Sequence, residues 1–534
     1  MKTLKRSTAL IMIFSIVTRL TSFFFKIYLS RRVGAEVLGI FQMAASVFGL
    51  FCTLAASGIP PMLSRRVAQL NAREGNEGAT NGAMTGAIIL SLSVTSLLIV
   101  GAIVFRDKTV FLFSDERCIP LFYLLLPALI STALYQILRG YFMGKRRYFD
   151  YSVTEFLEEI IKIVACLTFL SDLFLTLSDE VALTIAFTVT DYLVMGILLI
   201  LYFAKGGRLA KPKETFELMR SGLPVTGIRV AAGLISSFIA IALPAALVRA
   251  GLTRGEAAAE YGRAVGMAFS LLFAPLSLTG ALSVVILPEA ATLAARGDYR
   301  ELRARIGESL LFIFVITVLF YALFLVLGEP YGILLFKDAQ AGKFISCAAG
   351  MVIPAALSGF INTTLNSLGD ERKVFLSFLI SSALLILSVL LLPKYVGIYA
   401  LAIGECAFHL SDFVLGMAFL SKRKVLPPSL FRPAAITLTL AFPTALGVKV
   451  LTLLTERSES ILLKAAVPTI GGILIYCLLI FLFKPIPNLT ALLLRKPTRS
   501  KRKRSHKKHF ARPDHDQRKP IRRFRDSSSC RYEG

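Results

Sequence analysis

The sequence has no tryptophan, four histidines and far fewer acids than bases, 34 Asp or Glu against 60 Lys or Arg. Without tryptophan, an aromatic belt at a membrane interface has to come from its 16 tyrosines and 40 phenylalanines. Its 7 cysteines are scattered and form no Cys-x-x-Cys pair. That excludes a disulfide framework and a zinc site of that spacing, and the cysteines read as small core residues. Neither a phosphate-cradling G-x-x-x-x-G-K-[ST] nor an H-E-x-x-H is present, so the chain has no ATPase site of that type and no zinc-protease helix. The one Asp-x-Asp, Asp514-His-Asp516, lies in a basic stretch without folded context. No catalytic residue, cofactor or metal ligand is expected.

What the sequence does have is long apolar runs. It is 534 residues long and 55% hydrophobic, with a mean hydropathy of +0.69. A soluble chain of this length would not be so apolar. Stretches of about 20 residues give about fourteen candidate spans. They lie near 7–29, 37–57, 83–105, 119–142, 154–176, 181–203, 223–248, 263–287, 307–327, 345–367, 374–392, 396–420, 433–454 and 461–484. The first run is not a cleaved signal peptide, since it is long, carries charges and is followed by no small-residue cleavage site. It reads as a retained first helix. The fold class expected is an all-α integral membrane protein.

Loop charge sets an orientation. With the N-terminus in the cytoplasm, the inside loops hold Arg65, Arg66 and Arg73, then Lys145–Arg147, then Lys205–Arg220, and later Arg296–Arg305. The outside loops are short and poorer in cations, which satisfies the positive-inside rule with both termini inside. They leave no room for an extracytoplasmic catalytic domain. The C-terminal stretch Arg495–Gly534 holds 16 Lys or Arg and 4 acids. With almost nothing apolar to bury, it reads as a disordered tail. Beside a membrane, such a tail binds anionic lipid headgroups, and no nucleic-acid partner is expected.

The chain repeats. Gly58-Ile-Pro-Pro and the Arg-rich stretch to Gly75 follow span two, and Ile286-Leu-Pro-Glu with a similar stretch to Asp298 follows span eight. Leu38-Gly39 and Tyr261-Gly262 open those spans alike, and Gly144-Lys-Arg-Arg147 is echoed by Gly369-Asp-Glu-Arg-Lys373. Six spans separate matching points, so the two halves share an orientation, as parallel repeats do, and a site between them is expected near the midplane. The expected layout is two six-helix lobes, 1–205 and 206–425, two extra helices in 426–486, and the tail 487–534. Prolines within spans, Pro127 and Pro244 among them, permit kinks.

The charges inside the runs carry the functional reading. Arg19 and Lys26 interrupt the first span, and Arg229 sits near the start of the seventh. A cation at bilayer depth costs about 2.5–3.5 kcal/mol, so it faces a wet cavity or a partner. Arg19 and Lys26 are seven residues apart and share one helix face. Cationic first spans in both halves suggest a cavity for an anion, and guanidinium forks suit phosphate oxygens. Snorkelling of Lys26, or pairing of Arg19 with a buried acid such as Asp191, is the plainer alternative. Glu155, Glu158, Glu159 and Lys162 follow i, i+3, i+4, i+7 spacing and read as an interfacial ion-pair set. Glu405, His409 and Asp412 share one face in span twelve. Together with Asp191, they are candidates for proton or ion coupling.

Several motifs resemble the polysaccharide-transporter branch of the multidrug/oligosaccharidyl-lipid/polysaccharide exporter superfamily. They are Thr18-Arg19, Arg139-Gly-Tyr-Phe-Met-Gly144, Ser221-Gly-Leu-Pro-Val-Thr226, Tyr261-Gly262 with Gly266-Met-Ala268, and Ile286-Leu-Pro-Glu289. Within that branch the chain is similar to the relatives of stage V sporulation protein B, with MurJ-type lipid II flippases as cousins. The resemblance implies a bacterial cell-membrane flippase with alternating access. It would carry an undecaprenyl-diphosphate-linked saccharide from the inner to the outer leaflet. It also implies that Arg19, Lys26 and Arg229 meet the diphosphate. A cation-coupled multidrug exporter of the same superfamily is the alternative. A polytopic glycosyltransferase would need acids in a large outer loop, which is missing.

Overall fold

The structure is a computed structural model that describes residues 2–56, 58–72, 77–171, 177–212, 215–276, 280, 290–427 and 430–484. The basic tail, Asp514-His-Asp516 and the Ile286–Glu289 motif lie outside the described residues. Among the described residues every regular element is helical. The long helices in chain order are α1 (Lys2–Ala56), α2 (Ile59–Ala72), α3 (Glu77–Val104), α4 (Cys118–Leu125), α5 (Ala128–Gly144), α6 (Tyr148–Phe169), α7 (Asp179–Ala204) and α8 (Thr215–Arg249). They continue with α9 (Arg254–Tyr261), α10 (Tyr299–Tyr331), α11 (Ala339–Ala348), α12 (Val352–Ser367), α13 (Glu371–Leu391) and α14 (Tyr399–Lys422). Three more close the described chain: α15 (Phe431–Thr439), α16 (Ala441–Thr455) and α17 (Ile461–Phe483).

Among the described residues ten helices are long and apolar enough to cross a membrane, eleven if the bent pair α4 and α5 counts as one span. The shortfall against about fourteen expected spans has physical sources. The helix through residues 16–71 holds two of the expected spans. Next, α6 carries Glu155, Glu158, Glu159 and Lys162, too many charges for an apolar window. Span eight runs into residues outside the description. Pro127 stands at the break between α4 and α5, where the axis turns by 47°, the kink that its missing N–H permits.

The chain reverses at Gly34 within α1. Gly34 has φ 79° and ψ 177°, a backbone that a side chain at this position would strain. The contacts on either side prove the reversal. Phe14 packs on Phe149 and Phe156, while Arg32 reaches the Leu170 carbonyl at the other end of α6. After the turn, Glu36 pairs with Arg117 at 2.7 Å, and α2 then meets Gly140 and Gly144 of α5 through Pro60 and Ser64. The bundle therefore has a Gly34 end and a Gly144 end. The first half of α1 runs parallel to α6.

Where helices have no water to escape from, small residues that let backbones approach supply the packing. A Cβ added to Gly39 would lie 1.9 Å from the carbonyl oxygen of Ala258, and one added to Gly262 would lie 1.9 Å from that of Ala35. The two contacts are reciprocal: 35 pairs with 262, and 39 with 258. Matching residues of the repeat touch each other's helices, as they would about a pseudo-two-fold axis. Around this crossing lies the largest apolar core, with Leu38, Ile40, Met43, Leu243, Tyr261 and Met267 all buried.

Candidate functional site

The first half of α1, α5 and α6 enclose a cavity of about 240 Å³ lined by Thr18, Arg19, Ser22, Arg139, Glu155, Glu158 and Glu159. Parallel packing of α1 on α6 produces it. Residues 18, 19 and 22 fall on one turn of α1, and 155, 158 and 159 on the facing turns of α6. From Gly34, Arg19 is about 20 Å down the helix, nearer the Gly144 end.

The wall is tied together by charge. Arg139 lies 3.3 Å from Glu155, and its guanidinium is flanked by the rings of Tyr151 at 4.2 Å and Tyr135 at 5.2 Å. The Tyr135 hydroxyl donates to Glu158. Lys162 sits 3.2 Å from Glu159 and 3.8 Å from Glu158. Thr18 Oγ1 and Arg139 Nε are buried with no hydrogen-bond partner among the described residues. A wall with fixed guanidinium, unpaired donors and several carboxylates can take a polar ligand of either sign in place of its own pairs.

The predicted residues separate. Arg19 lines the cavity. Lys26 is exposed on the same helix, within electrostatic reach of Glu159 and Lys162. Arg229 is exposed on α8 and is not among the residues lining this cavity. The carboxylate of Asp191 on α7 accepts a hydrogen bond from Thr132 at 2.9 Å, so its direct partner is a hydroxyl of α5.

The three residues that share a face of α14 do not act as one group. His409 Nε2 lies 3.5 Å from Glu405, and its ring packs against Phe408 and Phe273. Its Nδ1 is buried without a partner among the described residues. Asp412 turns away, accepting hydrogen bonds from Asn362 at 2.7 Å and Ser377 at 2.6 Å. It is a buried, fully satisfied link between α12, α13 and α14.

Sequence reasoning passed over Arg139 and its tyrosines as site residues, and it treated the α6 glutamates as interfacial. The signal for Arg139 was there, since Tyr135 precedes it by one turn in an apolar helix. What brings Glu155 to Arg19 is tertiary packing.

Comparison with known proteins places this architecture. Residues 4–289 match the model of the family described as polysaccharide biosynthesis protein. The chain belongs to that family. It is 23% identical to stage V sporulation protein B of Bacillus subtilis (strain 168) over 402 residues, 71% of this chain and 76% of that one. Its fold matches a structure described as lipid II flippase MurJ, inward closed conformation. There the TM-score is 0.70 at 14% identity, over 89% of this chain and 98% of that one. It also matches an inward-facing multidrug resistance MATE family transporter of the MOP superfamily, at TM-score 0.64 and 13% identity, over 76% and 95% of the two chains. This family member is therefore an all-helical, multi-pass membrane protein with the fold of MurJ and MATE transporters.

Proposed function

We propose that the protein is a flippase that carries an undecaprenyl-diphosphate-linked saccharide from the inner to the outer leaflet of a bacterial cell membrane. The observation that carries this reading is the placement of Arg19 and Arg139 on one polar cavity within the span region. Cations there are costly unless they have a partner, and a diphosphate supplies two adjacent anions that guanidinium forks bind well. In this reading residues 1–205 and 206–425 are lobes that rock about the Gly39–Gly262 crossing. The Gly34 end faces outward and is closed, and the Gly144 end faces the cytoplasm. Both termini lie inside, where the basic tail meets anionic lipid. Lys26 and Arg229 meet the headgroup as it moves between lobes. The Glu405–His409 pair, beside the crossing, is the group that a coupling proton would use. Inside-negative potential favours expelling the anion, by about 2.3 kcal/mol per charge per 100 mV.

One observation favours a second reading. Glu155, Glu158 and Glu159 face the same cavity, as a cation-coupled exporter of cationic drugs would require. Binding separates the two. Purified wild type and Arg19→Ala are offered a saccharide-linked undecaprenyl diphosphate in native mass spectrometry, with a cationic dye as competitor. Binding of the lipid that is lost in the variant, without dye binding, supports the flippase. Dye binding with indifference to the lipid promotes the drug exporter.

A further inference from the structure

Arg139 is held firmly but bound weakly. Two tyrosine faces fix the plane of its guanidinium, yet its Nε is buried without a hydrogen bond to any described residue. Its ion-pair partner among the described residues is Glu155, through one nitrogen at 3.3 Å. The three glutamates of the cavity differ in how they are anchored. Glu158 and Glu159 are both tied to Lys162, and Glu158 also holds the Tyr135 hydroxyl. Glu155 has the single contact with Arg139, and its side chain is 37% exposed, against 25% for Glu158 and 10% for Glu159. It is the carboxylate that can leave at least loss.

The charge count gives it a reason to leave. The cavity wall carries two guanidinium groups and three carboxylates. Lys162 and Lys26 on one side and Asp191 on the other bring the surrounding cluster to four cations and four acids. A ligand with two negative charges therefore cannot simply add to a cationic hollow; it must exchange for a charge already there.

We propose that Glu155 is a displaceable internal carboxylate. It occupies Arg139 in the ligand-free carrier, gives way to a phosphate of the headgroup, and returns to expel that phosphate on release. This rests on the flippase reading and specifies how its site lets go. A site of bare arginines would hold a diphosphate too tightly to release it, and a carrier needs binding that is favourable but reversible. Glu155 is thus a release-determining residue, acting through Arg139.

The test is the affinity for a saccharide-linked undecaprenyl diphosphate, and its rate of translocation, at neutral pH in wild type, Glu155→Gln and Glu155→Asp. Glu155→Gln, which cannot compete for Arg139 as an anion, binds about tenfold tighter and translocates more slowly, while Glu155→Asp, which keeps the charge, stays near wild type in both. A Glu155→Gln protein that melts like wild type but binds no better overturns the exchange and leaves the flippase reading standing. Absence of lipid binding in wild type overturns both.

Discussion

The two halves of α1 are built from one continuous stretch of sequence, yet they solve opposite problems. Before Gly34, the helix presents Arg19 and Lys26 as exposed cations beside the polar wall of α5 and α6. After it, Leu38, Ile40, Met43 and Ala44 are buried to 4% exposure or less, Gly39 is buried among them, and backbone meets backbone at Gly39 and Gly262. Charge is placed where there is room for a ligand, and glycine where there is room for nothing. A carrier needs both, since a seam that closes without side chains can seal one end while the charged half waits at the other. Arg31 reinforces the seam by donating to the carbonyls of Leu334 and Leu335 across the bundle.

The comparison is broken most severely on the charged side. If the proposed function holds, Arg19→Ala removes a charge-assisted contact to the headgroup worth about 1.5–3 kcal/mol. We expect roughly 10- to 150-fold weaker lipid binding in native mass spectrometry, with the melting temperature unchanged. Lipid binding at wild-type strength would mean that the cavity is only a structural ion-pair nest.

The tight side is broken by adding one methyl group. Gly39→Ala places a Cβ 1.9 Å from a carbonyl oxygen, an overpacking of about 1–3 kcal/mol. The seam is expected to yield before the bundle does. Distances between spin labels at residues 117 and 254 should lengthen and broaden in the variant. Unchanged distances would show that the crossing is rigid scaffold and no moving seam.

How much of this contrast was readable in advance depends on the kind of signal. Arg19 was legible because a charge inside an apolar run is conspicuous in one dimension. Gly39 and Gly262 were legible as matching positions of a repeat, but their mutual contact was not, since periodicity says which face a residue occupies and not what packs on it. The α6 glutamates show the same limit: their local pairing with Lys162 was legible from the spacing and is present, but that they also line a cavity with Arg19 was not, since only the packing of α1 alongside reveals it. Glu405, His409 and Asp412 share a face by spacing, yet Asn362 and Ser377 claim Asp412 from neighbouring helices.

That last difference sharpens the comparison within α14. Asp412→Ala strands the buried Ser377 donor and the half-buried Asn362 donor, at a cost of about 1–3 kcal/mol of stability. It should lower the melting temperature in detergent while leaving lipid affinity per folded molecule intact. His409→Ala should do the reverse, sparing stability and altering the pH dependence of translocation. If Asp412→Ala abolished transport in a protein that melts normally, Asp412 would be a coupling residue after all.

The smallest effect is expected at the Gly34 end, outside the spans. Burial pushes the Asp115 carboxyl up, but hydrogen bonds from the Arg117 side chain and backbone outweigh it and hold it below the usual carboxylate range. A depressed folded value means that the contribution is present above the ordinary carboxylate range and is lost as pH falls through the folded value. The Asp115–Arg117–Glu36 latch should therefore be unaffected between pH 6 and 8 and weaken only in acid. With Arg117 and Glu36 exposed around a buried Asp115, it is worth about 1 kcal/mol, readable as a small drop in melting temperature below pH 4 that Asp115→Asn abolishes.

The central claim, that Arg19 meets a diphosphate during transport, is tested most directly by movement of the lipid itself. Proteoliposomes holding the protein and a fluorescent undecaprenyl-diphosphate saccharide are treated with a membrane-impermeant quencher, and the fraction reached over time is followed. Wild type should exchange lipid between leaflets, and Arg19→Ala, folded and reconstituted equally, should fall to the protein-free rate. Exchange by Arg19→Ala as fast as by wild type would contradict the account.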